Sequence, residues 1–368
     1  GTTYGVDSYP ATHFIIAELQ EMSMYFFIII LLFYSGELIW KERTEKIFVL
    51  NDATTISSVI SLTSKLIALI NIYVIIMISL IITGVLYQAA SGYYKFELGV
   101  YFFRFFVEIL PFLVLYTIIA FFFQAISKNK FVGIIFILIF FILNIVTEAF
   151  GYNHSLYKFG GKTLGTYSDM NGYGHLLQPY FWTKIYWLLF GALLLITSAL
   201  IINRGTEAKL WKRIKAFRSQ LTKPIIYLAS SILVLFIVVG TYIFYNTNIL
   251  NEYWTSDQQK NYRAGYEKTL KSFEYLPQPK ITDVNLEVEL FPTTRSYEIK
   301  GSYVLKNTTK APIEQIHVQK LIASHVNLKE VTFKGGAEED SSYAKFDYTI
   351  YTLSKPLAVN ATVKMNFT

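Results

Sequence analysis

Long apolar stretches separated by short polar connectors make up the first 250 residues or so of the chain. The clearest is Leu66–Tyr87, whose polar or small interruptions are Asn71, Ser79, Thr83 and Gly84. A helix needs about 20 apolar residues to cross a hydrocarbon core of roughly 30 Å. This stretch therefore predicts a membrane span.

Six such stretches predict six spans, although two of them carry charged residues and one is short. Phe131–Leu143 reaches a workable length only when residues 144–150 extend it. The predicted spans are Met22–Trp40, Leu66–Tyr87, Tyr101–Ser127, Phe131–Leu143, Leu188–Ile202 and Ile225–Phe244.

Beyond Pro277 the apolar period changes to two. Val284, Leu286, Val288 and Leu290 alternate with polar residues, which predicts a strand with one buried face. Further strands are predicted at Ile299–Leu305, around Ile316 and Val318, and over 326–333, 345–352 and 361–367.

These patterns predict an α-helical membrane bundle followed by an extracytoplasmic antiparallel all-β domain. The bundle covers 1–203, with a connector at 41–65 and a loop at 151–180 between spans. The predicted segments after it are a basic connector (204–223), an extra span (224–245), a helical stalk (246–274) and the β-domain (275–368).

Charge predicts the orientation. The connector 204–223 is rich in lysine and arginine, with Glu207 as its acidic residue, so the positive-inside rule puts it in the cytoplasm. By alternation Lys41–Lys65 and Lys128–Lys130 lie on the same side, and everything after Tyr245 lies outside. Much of the net charge of +7 thus belongs to a rim facing anionic lipid, and we expect no nucleic-acid partner.

A hydrophobic fraction of 53% suits a chain that is partly in the membrane and partly outside it, and cysteine is absent. Without disulfides the β-domain must be held by sheet packing, and a bacterial cytoplasmic membrane fits this best. Because the chain opens on Gly1 and closes within a predicted strand, we expect it to be an internal fragment.

One connector carries a resemblance. The segment from Phe33 to Lys46 reads FYSGELIWKERTEK, and Ser64-Lys65-Leu66 opens the next span. It resembles the segment ahead of the coupling helix in permeases of type 2 ABC exporters. The predicted i,i+4 pairs Glu37–Lys41 and Glu42–Lys46 extend the first span as a helix, and a short amphipathic helix is predicted over Ala53–Leu62. By itself that helix reads equally as an interfacial linker.

The resemblance implies Glu37, Glu42, Arg43 and Lys46 as residues that couple to a separate ATPase subunit, which would hold the ATP. It also implies a second permease half or a homodimer, in a lipid bilayer. The cargo is not implied.

Charges inside the third predicted span are candidates for a transport path. Arg104 and Glu108 lie four residues apart on one face, and Pro111 predicts a kink. With Tyr101 near the outer interface, the residues favour an interfacial clamp, and a polar lining of the path is the alternative. Asp169 and Asn171 lie in a Gly- and Tyr-rich loop that by resemblance closes the outer mouth, with an interfacial aromatic girdle as the alternative.

The strands from Tyr275 onward are similar to the amino-terminal β-domain of the aminopeptidase N family of zinc metallopeptidases. The His-Glu-x-x-His zinc motif of that family is missing, and His317 and His325 read as structural. We therefore expect no catalytic residues and no cofactor here, and zinc only if the peptidase continues beyond Thr368. The alternatives to a permease are a membrane-anchored peptidase or envelope scaffold, and a channel or secondary transporter.

Overall fold

The computed structural model describes residues 9–52, 56–147, 149–161, 164–165, 167–168, 170–202, 210–294, 296–320 and 326–368; side chains at 51–52, 215–216 and 218–219 are not described. The chain forms two compact units, Gly1–Thr255 and Ser256–Thr368.

The first unit is helical, and α5 lies at its centre, in contact with α1, α3, α6 and α7. Leu113, Leu115 and Phe121 of α5 are fully buried, and α9 packs on α7. The helices are α1 (Thr12–Thr44), α2 (Phe48–Asp52), α3 (Ser58–Ala90), α4 (Leu98–Phe102), a π-helix (Phe103–Ile109), α5 (Leu110–Ile126), α6 (Lys130–Val146), a 3₁₀ turn (Gly174–Leu176), α7 (Leu177–Ile201), α8 (Leu210–Gln220), α9 (Lys223–Phe244) and a second π-helix (Tyr245–Leu250).

Five helical segments of the described chain are long and apolar enough to cross a membrane. They are Thr12–Thr44, Ser58–Ala90, Leu98–Ile126, Gly174–Ile201 and Lys223–Leu250. The remaining predicted span lies on α6, which is apolar but has only 17 residues. The helices also extend well beyond several predicted spans, because polar residues at their ends do not interrupt helical hydrogen bonding.

The helix predicted over Ala53–Leu62 is not a separate element. Residues 58–62 form the first turns of α3, where Ser57 caps the helix by accepting a hydrogen bond from the Val59 amide at 3.3 Å. The short helix of this connector is instead α2, and 53–55 lie outside the described residues.

The second unit contains α10 (Ser256–Leu270), two short 3₁₀ turns (Lys271–Phe273 and Ala344–Phe346) and two antiparallel sheets. One sheet has the order β1-β2-β7-β4 and the other β3-β6-β5. The strands are β1 (Lys280–Phe291), β2 (Ser296–Lys306), β3 (Ile313–Gln319), β4 (Val331–Phe333), β5 (Ala337–Asp340), β6 (Tyr348–Leu357) and β7 (Thr362–Phe367). The antiparallel prediction is confirmed, and β5 is an addition to it.

The helix predicted as a stalk belongs to this unit. Tyr262 and Tyr266 of α10 pack their rings on Phe346, so the helix covers the β-structure. His317 has a structural setting: Tyr348 Oη lies 2.8 Å from its Nδ1, Phe273 packs on the ring, and burial lowers the pKa of the imidazole. His325 lies outside the described residues.

The buried face predicted for β1 is wrong. Val284, Leu286, Val288 and Leu290 are between 46% and 69% exposed. The core lies instead where the two sheets meet, around Leu305, Ile316, Tyr351 and Met365. Alternation indicates that a strand has an apolar face, but it does not tell what covers that face.

Candidate functional sites

The predicted pair Arg104–Glu108 is present and lies on the π-helix between α4 and α5. The guanidinium of Arg104 forms an ion pair with Glu108 and donates a second hydrogen bond to Gln20 Oε1 of α1 at 2.7 Å. Glu108 carries a carboxylate and is only 3% exposed. It lies within an otherwise apolar segment that is long enough to span a membrane. π-helical turns occur frequently at functional sites.

A third charged side chain, Lys184 of α7, is buried near this pair. Lys184 Nζ donates to the carbonyl of Gly160 at 2.5 Å, Arg104 donates to the carbonyl of Gly165 at 3.2 Å, and Glu108 accepts from the Leu164 amide at 3.3 Å. We call Arg104, Glu108 and Lys184 the loop-end cluster. Its three side chains hold the loop backbone at Gly160, Leu164 and Gly165 against two apolar helices.

Glycine at position 161 allows this close approach. Gly161 has φ +72°, which favours glycine, and a Cβ there would collide with the Thr183 side chain of α7. At this position the loop backbone itself lies against α7.

Pro111 lies in the first turn of α5, directly after the π-helix. Because proline has no N–H, it cannot bond the carbonyl four residues earlier, which is that of Val107. Tyr180 of α7 donates its hydroxyl to this carbonyl at 2.6 Å. A neighbouring helix therefore satisfies the backbone group that the proline leaves free.

Asn171 lies further along the connection between α6 and α7, where it is exposed. Its backbone carbonyl accepts a hydrogen bond from the Gly174 amide. Asp169 lies outside the described residues. The ring of Tyr173 stacks on Phe103 with centroids 5.2 Å apart, so this loop also packs on the π-helix through an aromatic pair.

The opposite end of the bundle is joined by polar contacts that cross between helices. Glu37 forms an ion pair with Lys130 of α6 at 2.9 Å and not the predicted local pair with Lys41. Trp40 Nε1 donates to Gln124 Oε1 at 2.8 Å, and the Gln124 amide reaches the Lys130 carbonyl. Gln124 thus ties α1, α5 and α6 together.

A groove of about 300 Å³ lies at this same end, between the end of α1 and the start of α3. We call it the basic-end groove. Glu42 forms an ion pair with Lys65 of α3 at 2.7 Å, in place of the predicted pair with Lys46. Arg43 lies over the Phe48 ring at 4.9 Å. Lys46 has φ +60° in the turn after α1, which explains why the helical spacing to Glu42 is lost.

Arg213 of α8 also lines the groove. It is 8% exposed and donates from one terminal nitrogen to the carbonyls of Ala125 and Ile201, at 2.8 and 3.4 Å. Burial lowers the pKa of this guanidinium, and the nearby charge of Arg43 lowers it further.

Sequence reasoning missed Lys184, Gln124 and Arg213 as site residues. Lys184 falls in a stretch, LQPYFWTKIYW, that is too aromatic to look like a connector, so a lysine inside it is a usable signal. Arg213 is one of many basic residues in its connector and has no such signal. Among the described residues, no group of three or more histidine, aspartate or glutamate side chains converges as metal ligands would.

Comparison of the chain with protein-family models, curated proteins and solved structures finds no match. The sites themselves therefore carry the evidence for function.

Proposed function

We propose that the chain is a permease subunit of a type 2 ABC transporter, driven by a separate ATPase and paired with a second permease half or a second copy. The observation that carries this is the loop-end cluster. Three charged side chains inside apolar helices are each bonded to the loop at 160–165. We infer that this loop closes the outer mouth of the path.

Helices that serve only as an anchor do not require such a cluster. A charged residue within a span costs up to about 2.5 to 3.5 kcal/mol on insertion scales, and charged residues within spans mark substrate paths and relays. Membrane helices that only hold a peptidase or scaffold avoid this cost by being apolar throughout. This supports a permease over the anchor alternative.

The basic-end groove supports a coupling role for Glu42 and Arg43. The ion pairs Glu42–Lys65 and Glu37–Lys130 join α1 to α3 and to α6. A partner that pushes on the end of α1 would therefore move several helices together. The positive-inside rule puts this end in the cytoplasm, where ATP is available to the partner.

For the second unit, the antiparallel sheets support an extracytoplasmic β-domain of the kind that precedes the catalytic part of aminopeptidases. Zinc enters this proposal only if a peptidase part continues beyond Thr368.

The test is whether an ATPase is bound at the predicted end. The tagged chain is purified in mild detergent from membranes of its native host, and vanadate-sensitive ATP hydrolysis is measured. We expect hydrolysis with the wild-type chain, loss with Arg43→Glu, and retention with Lys95→Glu, a charge reversal at an exposed site beyond α3. ATP hydrolysis that is absent, or equal in both variants, would contradict the proposal.

A further inference from the structure

The basic-end groove has the composition of an anion site. Arg43, Lys65 and Arg213 line it, and among the described lining residues Glu42 is the single acidic one. Glu42 already pairs with Lys65. Among the described lining residues, the Glu42–Lys65 ion pair uses the one carboxylate, and the charge of Arg213 adds to it.

Arg213, which lines this cavity, leaves one buried donor without an acceptor. Arg213 is 8% exposed, and its Nε has no hydrogen-bond partner among the described residues. The bonds from its terminal nitrogen to Ala125 and Ile201 fix the guanidinium in place. Arginine stays protonated in proteins, and a buried donor without an acceptor is costly. The arrangement therefore favours an acceptor that carries negative charge.

The start of α3 adds a second source of donors to the same cavity. Ser58 and Ser61, from the first turns of this 33-residue helix, line the groove. The first amides of a helix have no partner within the helix, and the helix dipole favours an anion there. Ser57 satisfies the Val59 amide through its hydroxyl, and its carbonyl accepts from the Ser61 amide.

We propose that the basic-end groove binds the phosphate of an anionic phospholipid. Two features favour a lipid over a free phosphate. The groove lies at the ends of helices that are long enough to span a membrane, and Ile56 and Ile60 among its lining residues are 54% and 64% exposed, which suits contact with acyl chains. Trp211, next to the groove on α8, is 68% exposed and is typical of an interfacial residue. This inference does not depend on ATP-driven transport.

The test is native mass spectrometry of the full chain in detergent, titrated with phosphatidylglycerol or phosphatidylcholine. We expect preferential binding of phosphatidylglycerol. Arg213→Gln should weaken that binding about tenfold, which corresponds to one charged hydrogen bond. Ser58→Asp should do the same by repulsion, and because an acidic residue in the first turn stabilises a helix, this variant should fold.

Lys212→Gln is the matched control, since Lys212 neighbours Arg213 on α8 but is exposed and does not line the groove. It should bind phosphatidylglycerol as the wild type does. Wild-type affinity in both Arg213→Gln and Ser58→Asp would overturn the proposal. Displacement of the lipid by an equal concentration of inorganic phosphate would overturn its assignment to a lipid.

Discussion

The hydroxyl of Tyr180 on α7 donates to the backbone carbonyl of Val107 at 2.6 Å. This carbonyl is the one that Pro111 cannot bond. The contact holds α7 to the π-helix that carries Arg104 and Glu108, and it lies beside the loop-end cluster.

Tyr180→Phe removes that hydroxyl and should destabilise the bundle by about 1 kcal/mol, as is typical of a hydrogen bond between membrane helices. In a Pro111→Ala background the restored N–H can bond the Val107 carbonyl, so the same substitution should cost less. Thermal unfolding in detergent of the wild type, the two single variants and the double variant measures the coupling free energy between Tyr180 and Pro111. An equal cost in both backgrounds would show that Tyr180 and Pro111 act independently.

The Arg104–Glu108 ion pair of the loop-end cluster should be sensitive to the loss of one partner and more tolerant of the loss of both. Glu108→Gln leaves the half-buried Arg104 without its carboxylate, and we expect a loss of about 1.5 to 3 kcal/mol, as for a hydrogen bond to a charged group. The double variant Arg104→Met with Glu108→Leu removes both charges and should recover most of that stability. Chemical unfolding measures both. If the cluster serves transport, the double variant stays inactive despite its stability, whereas recovered transport would make the cluster purely structural.

The second unit allows a comparison between two leucines that alternation alone does not distinguish. Leu305 is 4% exposed and belongs to the core between the sheets, whereas Leu286 is 46% exposed. Leu305→Ala should cost about 2 to 5 kcal/mol, and Leu286→Ala should cost under about 1.5 kcal/mol because it leaves a smaller cavity. Hydrogen exchange of β2 and β7 amides in the full chain reports the difference. Equal losses would restore the buried face that the sequence predicted for β1.

The sequence predicts the elements well and their partners poorly. Length and hydropathy are local, so the apolar helices and most strands follow from the residues themselves. The pairing of Glu37 with Lys130 and of Glu42 with Lys65 depends on how helices pack, and local spacing pointed to Lys41 and Lys46 instead. Arg104 and Glu108 were predictable because both partners lie on one helical face. The third member of the cluster, Lys184, lies on α7, 76 positions after Glu108, so local spacing cannot predict its place in the cluster.

Acidity should loosen the β-unit through His317. Burial lowers the pKa of this imidazole below its ordinary value of 6.5, so the unfolded chain takes up a proton more readily than the folded one. The stabilisation is complete above about pH 6.5 and is lost as the pH falls through the lower folded value. Hydrogen exchange of β3 and β6, corrected for intrinsic exchange, should show this loss in wild type and much less of it in His317→Gln. Identical pH profiles would exclude His317 as the cause.

The most direct test of a driven permease asks whether events at the ATPase reach the loop. Asn171 is exposed, and the chain contains no cysteine, so Asn171→Cys introduces a single reactive thiol. This thiol is labelled with an impermeant reagent in sealed membranes of the native host. Trapping the ATPase with ATP and vanadate should change the labelling rate, and Arg43→Glu should abolish that change. A labelling rate that nucleotide leaves unaltered in the wild-type background would contradict the account and leave the helices as an anchor.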